Sequence, residues 1–101
     1  MAKLKEFEDT LNTAVFTTKF VVKDKKEITY VIHNLDDGAW QFFSTDDFDN
    51  YEDVVMVLSL DEIIKIDRTV LEIADLPLGY FATRQTSKDS WTINKMTNEH
   101  S

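Results

Sequence analysis

Residues 45–53, Thr-Asp-Asp-Phe-Asp-Asn-Tyr-Glu-Asp, interleave carboxylates with aromatic rings, a mixture suited to binding rather than to bond-breaking. Carboxylates supply a long-range field that steers a cationic partner, and aromatic side chains supply the contact area that holds it after docking. Asp46, Asp47, Phe48, Asp49, Tyr51, Glu52 and Asp53 are therefore the candidate partner-binding residues. A plainer arrangement is also open to them, with Phe48 and Tyr51 pinning the loop to the core while the acids face water.

Other chemistries fit less well. Asp47, Asp49 and Tyr51 stand at alternate positions, as in a calcium loop, but an EF-hand starting at Asp47 needs Gly where Glu52 stands and Glu where Leu58 stands. Loose calcium binding by clustered carboxylates stays open, and no dedicated metal or cofactor is expected. His33, Ser44 and Asp46 are the residue types of a nucleophilic triad, and Asp36 and Asp37 with Asp46 and Asp47 are those of paired-carboxylate catalysis. Ser44 lacks a G-x-S-x-G setting, and alternation puts His33 on the more polar face of its strand. His100 falls in the tail, and with only these two His and no Cys there is no transition-metal set. Trp40 and Trp91 read as core residues.

The charge of -8 belongs to one stretch. Residues 34–64 hold nine carboxylates and no Lys or Arg, while residues 1–33 carry six Lys against five acids and residues 65–101 five basic against five acidic residues. Such a field repels phosphate and anionic lipid, which argues against nucleic-acid and membrane partners and for a basic protein. At 101 residues and 43% hydrophobic content the chain can fill one core, so 1–101 is expected to be a single domain. The absence of Cys fits a reducing compartment. The N-terminus lacks the apolar core of a signal peptide, and the run at 54–58 is too short to cross a bilayer. The expected location is cytoplasmic.

These residues must be positioned by strands and short helices. Residues 3–11 place Leu4, Phe7 and Leu11 at helical spacing, giving a short helix packed on the domain or a frayed end. A strand is expected over 14–22, where Ala14, Phe16, Thr18, Phe20 and Val22 share a face. After a solvated turn at 23–27, residues 28–33 alternate with Ile28, Tyr30 and Ile32 on one face. Residues 39–44 then return with Trp40 and Phe42 aligned, which completes a three-stranded meander. Residues 54–58 are apolar without alternation, as in a strand covered on both faces inside the sheet.

Ser59 followed by Glu62 forms a capping-box signature that opens a helix over 60–66 with Leu60, Ile63 and Ile64 buried. Asp67 can cap a second helix over 68–75, which Pro77 ends. Residues 80–85 and 91–94 read as a closing hairpin, followed by a mobile tail over 95–101. The expected core comprises Trp40, Phe42, Val55, Val57, Ile63, Ile64 and Trp91. The fold class is α+β, with an antiparallel sheet of about five to six strands and two short helices on one side.

The run Trp40-Gln41-Phe42-Phe43-Ser44, the acids after it, and residues 57–67 resemble a family of small bacterial proteins first known as a domain of unknown function. That family was later assigned, largely from gene neighbourhood, to the immunity proteins of polymorphic toxin systems. Its pattern runs W-x-F-F-S-G-D-E, a strand, a helix closing on Asp, then L-P-x-G and a late Trp. Leu76-Pro77-Leu78-Gly79 and Trp91 match the last parts, so the resemblance spans residues 14–93. Thr45 departs from it by replacing the expected Gly.

The resemblance implies an α+β binder rather than an enzyme, and it supplies no catalytic residues. Charge and resemblance together point to an immunity-type protein whose acidic patch covers a basic surface of a bacterial toxin. Two alternatives remain open at this level. One is a housekeeping interaction or regulatory module with another basic partner, and the other is a small hydrolase or metal-dependent enzyme.

Overall fold

Strands form where β-branched and aromatic residues dominate: β1 (Ala14–Thr18), β2 (Tyr30–His33), β3 (Trp40–Phe43), β4 (Val55–Ser59), β5 (Tyr80–Thr83) and β6 (Thr92–Lys95). The computed structural model describes residues 5–96, so the tail beyond, including His100, and Leu4 at the start lie outside the described residues. Four short helices connect the strands where two were expected: α1 (Lys19–Val22), α2 (Tyr51–Val54), α3 (Leu60–Ile66) and a 3-10 helix (Arg68–Ile73). Residues 5–13 carry no helix, and Phe7 instead meets Trp40 edge-on at 4.9 Å.

The sheet is mixed, in the order β4-β1-β3-β2-β5-β6. β1 runs parallel to β3, and every other neighbour is antiparallel. The β2–β3 hairpin stands as expected, turned by Gly38 at a φ of 72°, a left-handed conformation that Gly adopts freely. The closing β5–β6 hairpin also forms.

Three expectations are corrected. There is no sequential meander, because β3 inserts between β1 and β2. β1 ends at Thr18, and Lys19–Val22 turns into α1, which starts the chain on its longer path around β3. The run at 54–58 does not lie inside the sheet, because β4 pairs only with β1 and forms an edge. Its apolar run reflects two different neighbours: Leu58 faces the core opposite Val15, while Val57 faces outward beside Phe16 and is 58% exposed.

The core lies on one face of the sheet. Val15, Val31, Phe42 and Ala82 from the strands meet Leu60, Ile63, Val70 and Ile73 from the helices, with Trp40 completing the cluster. Of the expected core, Trp40, Phe42 and Ile63 are buried, and Val55, Ile64 and Trp91 are half-buried. Val57 is the misplaced member.

Local chemistry sets the helix ends. Ser59 accepts from the Glu62 N–H at 3.1 Å while the Glu62 carboxylate accepts from the Ser59 N–H at 2.8 Å, which is the capping box read from the spacing. Asp67 caps the 3-10 helix by accepting from the Thr69 N–H at 3.0 Å. Its other oxygen receives Arg84 at 2.8 Å. Arg84 is buried, lies 3.9 Å from the centre of the Trp91 ring, and also donates to the Ile28 carbonyl at 3.0 Å. It thereby ties β5 and the closing hairpin to the helix layer. Ser87 adds a second tie by donating its N–H to Glu27 at 2.6 Å. Hydrogen bonds from Ser87 hold the Glu27 carboxyl below its ordinary range, so this tie is fully present above the usual carboxylate pKa and is lost as pH falls through the lowered value.

Phe42→Ala should destabilise the fold by about 3–5 kcal/mol in urea unfolding. Val57→Ala, on the open edge, should cost less than about 1 kcal/mol. Equal costs for the two would contradict the edge position of β4. Ser59→Ala should cost about 0.5–2 kcal/mol through loss of the cap.

Candidate functional site

The strand order dictates where the acidic loop runs. β3 and β4 flank β1, so residues 44–54 must step across its end, about 10 Å at ordinary strand spacing. A polar segment crossing that distance over a sheet end needs anchors, and the aromatics provide them. Tyr51 is half-buried, and its hydroxyl accepts from Gln41 Nε2 at 3.3 Å. Phe43, Phe48 and Tyr51 form a triangle of rings with centroids 6.4, 6.0 and 5.9 Å apart. Asn50 caps α2 by accepting from the Glu52 N–H at 3.2 Å, and Glu52 and Asp53 fall in the first turn, where the helix dipole favours carboxylates.

The turn that begins the loop is made without Gly. Thr45 has no positive φ, and Ser44 closes the bend by donating its hydroxyl to Asp46 Oδ2 at 2.7 Å and accepting the Asp46 N–H at 3.3 Å. That local bond replaces the conformational freedom a glycine would bring. Asp46 is thus half-buried and committed to the turn, with Lys26 Nζ 3.9 Å from its other oxygen. Asp47, Asp49, Glu52 and Asp53 are exposed. Phe48 retains 38% exposure, so one side of its ring remains open beyond the triangle.

Acidity that is contiguous in sequence is divided in space. Asp36 and Asp37 sit in the β2–β3 turn at the opposite end of β3 from Asp46 and Asp47, so the paired-carboxylate arrangement is not assembled. Asp61 and Glu62 belong to the start of α3, and Asp61 is paired with Lys65 at 3.0 Å. The five acids of residues 46–53 form the group that stays together. Lys25 and Lys26 in turn line a cleft with Lys65, Ile66 and Asp67 on the helix side of the sheet.

His33 is also placed differently from the sequence reading. It points to the inner face, stacks on Trp40 with centroids 3.9 Å apart, and bonds through Nδ1 to the Leu76 carbonyl at 2.7 Å. Ser44 follows the far end of β3, so His33, Ser44 and Asp46 do not converge. Among the described residues, no group of three or more His, Cys, Asp or Glu is placed to hold a metal ion. Nor is any described helix long and apolar enough to cross a membrane.

Sequence reasoning missed the companions of the loop aromatics, Tyr30, Phe43 and Phe81. Tyr30 lies opposite Phe43 on β3 and packs edge-on to Phe81 on β5, all on the outer face. The available signal was that β2 and β3 carry apolar residues on both faces: Tyr30 and Ile32 alternate with Val31, and Phe43 follows Phe42.

The fold is a two-layer α+β domain, a mixed sheet with short helices on one face and an acidic loop pinned by aromatic rings. The family model described as Immunity protein Imm33 domain matches residues 15–94, most of the chain, and this protein belongs to that family. It is accordingly a bacterial immunity-type protein rather than an enzyme, and its family is linked to polymorphic toxin systems. Neither the curated proteins nor the solved structures contain a match.

Replacing Asp46, Asp47 and Asp49 together with Asn should leave urea-unfolding stability unchanged within about 0.5 kcal/mol or raise it slightly, because crowded like charges are removed while the Ser44 bond keeps its acceptor. A loss well above 1 kcal/mol, roughly the scale of a structural interaction, would mean that the acids themselves hold the loop.

Proposed function

We propose that this protein neutralises a toxin domain in the cytoplasm by laying residues 46–53 over a basic surface of that domain. The observation that carries the reading is the division of labour within the loop. Tyr51 and Phe43 hold the segment in place, while Asp47, Asp49, Glu52 and Asp53 face water with Phe48 open on one side. Carboxylates fixed in this way meet a cationic surface without first losing conformational freedom. Their field raises the encounter rate, and the Phe48 ring acts after contact by filling a pocket and excluding water. Blocking is then a matter of occupancy, and no bond in the toxin needs to be made or broken.

The test is kinetic and uses the partner isolated by affinity capture on this protein. The triple Asn variant at Asp46, Asp47 and Asp49 should associate about ten-fold or more slowly at low salt and show a flatter salt dependence, with little change in dissociation. Phe48→Ala should leave association nearly unchanged and raise the dissociation rate. An unchanged association rate and salt slope in the triple variant would remove the loop from the binding site.

A further inference from the structure

Among the described residues, only the loop aromatics Phe48 and Tyr51, packed on Phe43, cover part of the outer face of the sheet. α3 and the 3-10 helix send Leu60, Ile63, Val70 and Ile73 into the opposite, inner face. Cross-strand pairing places Tyr30 beside Phe43 and Ile32 beside Phe81 on the outer side, with Phe16 and Val57 further along it. The rings form a row: Phe48 to Phe43 at 6.4 Å, Phe43 to Tyr30 at 5.9 Å, and Tyr30 to Phe81 at 5.8 Å. Tyr30, Phe43 and Phe81 are all only half-buried, so the row keeps ring surface in contact with water. The exposed acids of the loop stand at one end of it.

Aromatic rings partly open to solvent beside exposed carboxylates suit one side chain above others. A guanidinium is planar and weakly hydrated, so it can lie on a ring while its N–H groups reach a carboxylate in a bidentate pair. An ammonium is compact and strongly hydrated and gains less from the rings. The protein already builds this arrangement internally, where Arg84 lies on Trp91 and pairs with Asp67. Charge also selects among possible occupants. A second copy of the chain would bring a further net charge of -8 against the acidic rim, and nucleic acid would bring phosphates, whereas a cationic protein segment is drawn to it.

We infer that the outer sheet face is a docking surface for arginine side chains of a protein partner, with the row from Phe48 to Phe81 taking the guanidinium planes and the loop carboxylates taking their charge. This rests on the toxin-binding reading and adds the chemistry of the segment bound and the strands that receive it.

The experiment titrates the isotope-labelled protein with an oligoarginine and an oligolysine peptide of equal length at matched ionic strength, following backbone amide resonances. Oligoarginine should shift Tyr30, Ile32, Phe43 and Phe81 as well as the loop, and should bind about two- to five-fold more tightly than oligolysine, the increment of an exposed cation–π contact. Phe81→Thr, which keeps a β-branched residue on the strand, should abolish that preference while leaving oligolysine affinity unchanged. Equal affinities with shifts confined to residues 45–53 would overturn the inference and leave the acidic-loop reading standing. Absence of binding by both peptides would overturn both. Concentration-dependent self-association that produces the outer-face shifts without peptide would overturn the inference by assigning the face to a second copy.

Discussion

A six-stranded sheet has two broad faces, and α3 and the 3-10 helix pack against only one. α3 has seven residues and the 3-10 helix six, enough to cover Val15, Val31, Phe42 and Ala82 with a single layer. The other face must be made tolerable in water by its own residues and by whatever loop crosses it. Burial of apolar area contributes roughly 25 cal/mol per Å², so leaving aromatic rings half-covered forgoes stability that a second layer would have supplied. The outer face is where that stabilisation is missing.

The strand order then determines what crosses that face. Because β1 takes the place between β3 and β4, the segment joining those two must bridge a strand's width, and it does so with Phe48 and Tyr51 against Phe43. The same anchors that make the crossing possible fix Asp47, Asp49, Glu52 and Asp53 in an exposed array. Pinning and presentation are therefore one structural solution. The two loop aromatics differ in their surroundings, with Tyr51 half-buried and hydrogen-bonded and Phe48 partly exposed.

Features governed by neighbouring residues were legible in the sequence. Ser59 and Glu62, Asp67, the β2–β3 hairpin, and the alternation of Trp40 and Phe42 all depend on contacts a few residues away, and each is found where it was expected. Strand order was not legible, because nothing local in residues 14–18 states that their partner will be β3 rather than β2. The apolar run ending at Leu58 was misread because apolarity on both faces was equated with cover on both faces. Val57 borders an open face instead. Alternation put His33 on the polar side of β2 because Ile28, Tyr30 and Ile32 shared the other face, when the residue facing the core with His33 was Val31 and the ring beneath it was Trp40. The acidic loop was visible from composition alone, but its aromatic companions on β2 and β5 needed the pairing register to appear.

Hydrogen exchange on the complex with the partner captured on this protein tests the central claim directly, because it reports where that partner sits without altering any side chain. Binding at the loop and the aromatic face predicts slowed exchange concentrated in residues 45–53, extending to β2 and β5. Slowed exchange around the cleft that Glu8, Asp9 and His33 line with residues 74–78, with residues 45–53 unchanged, would contradict the account and move the interface to the opposite end of the sheet.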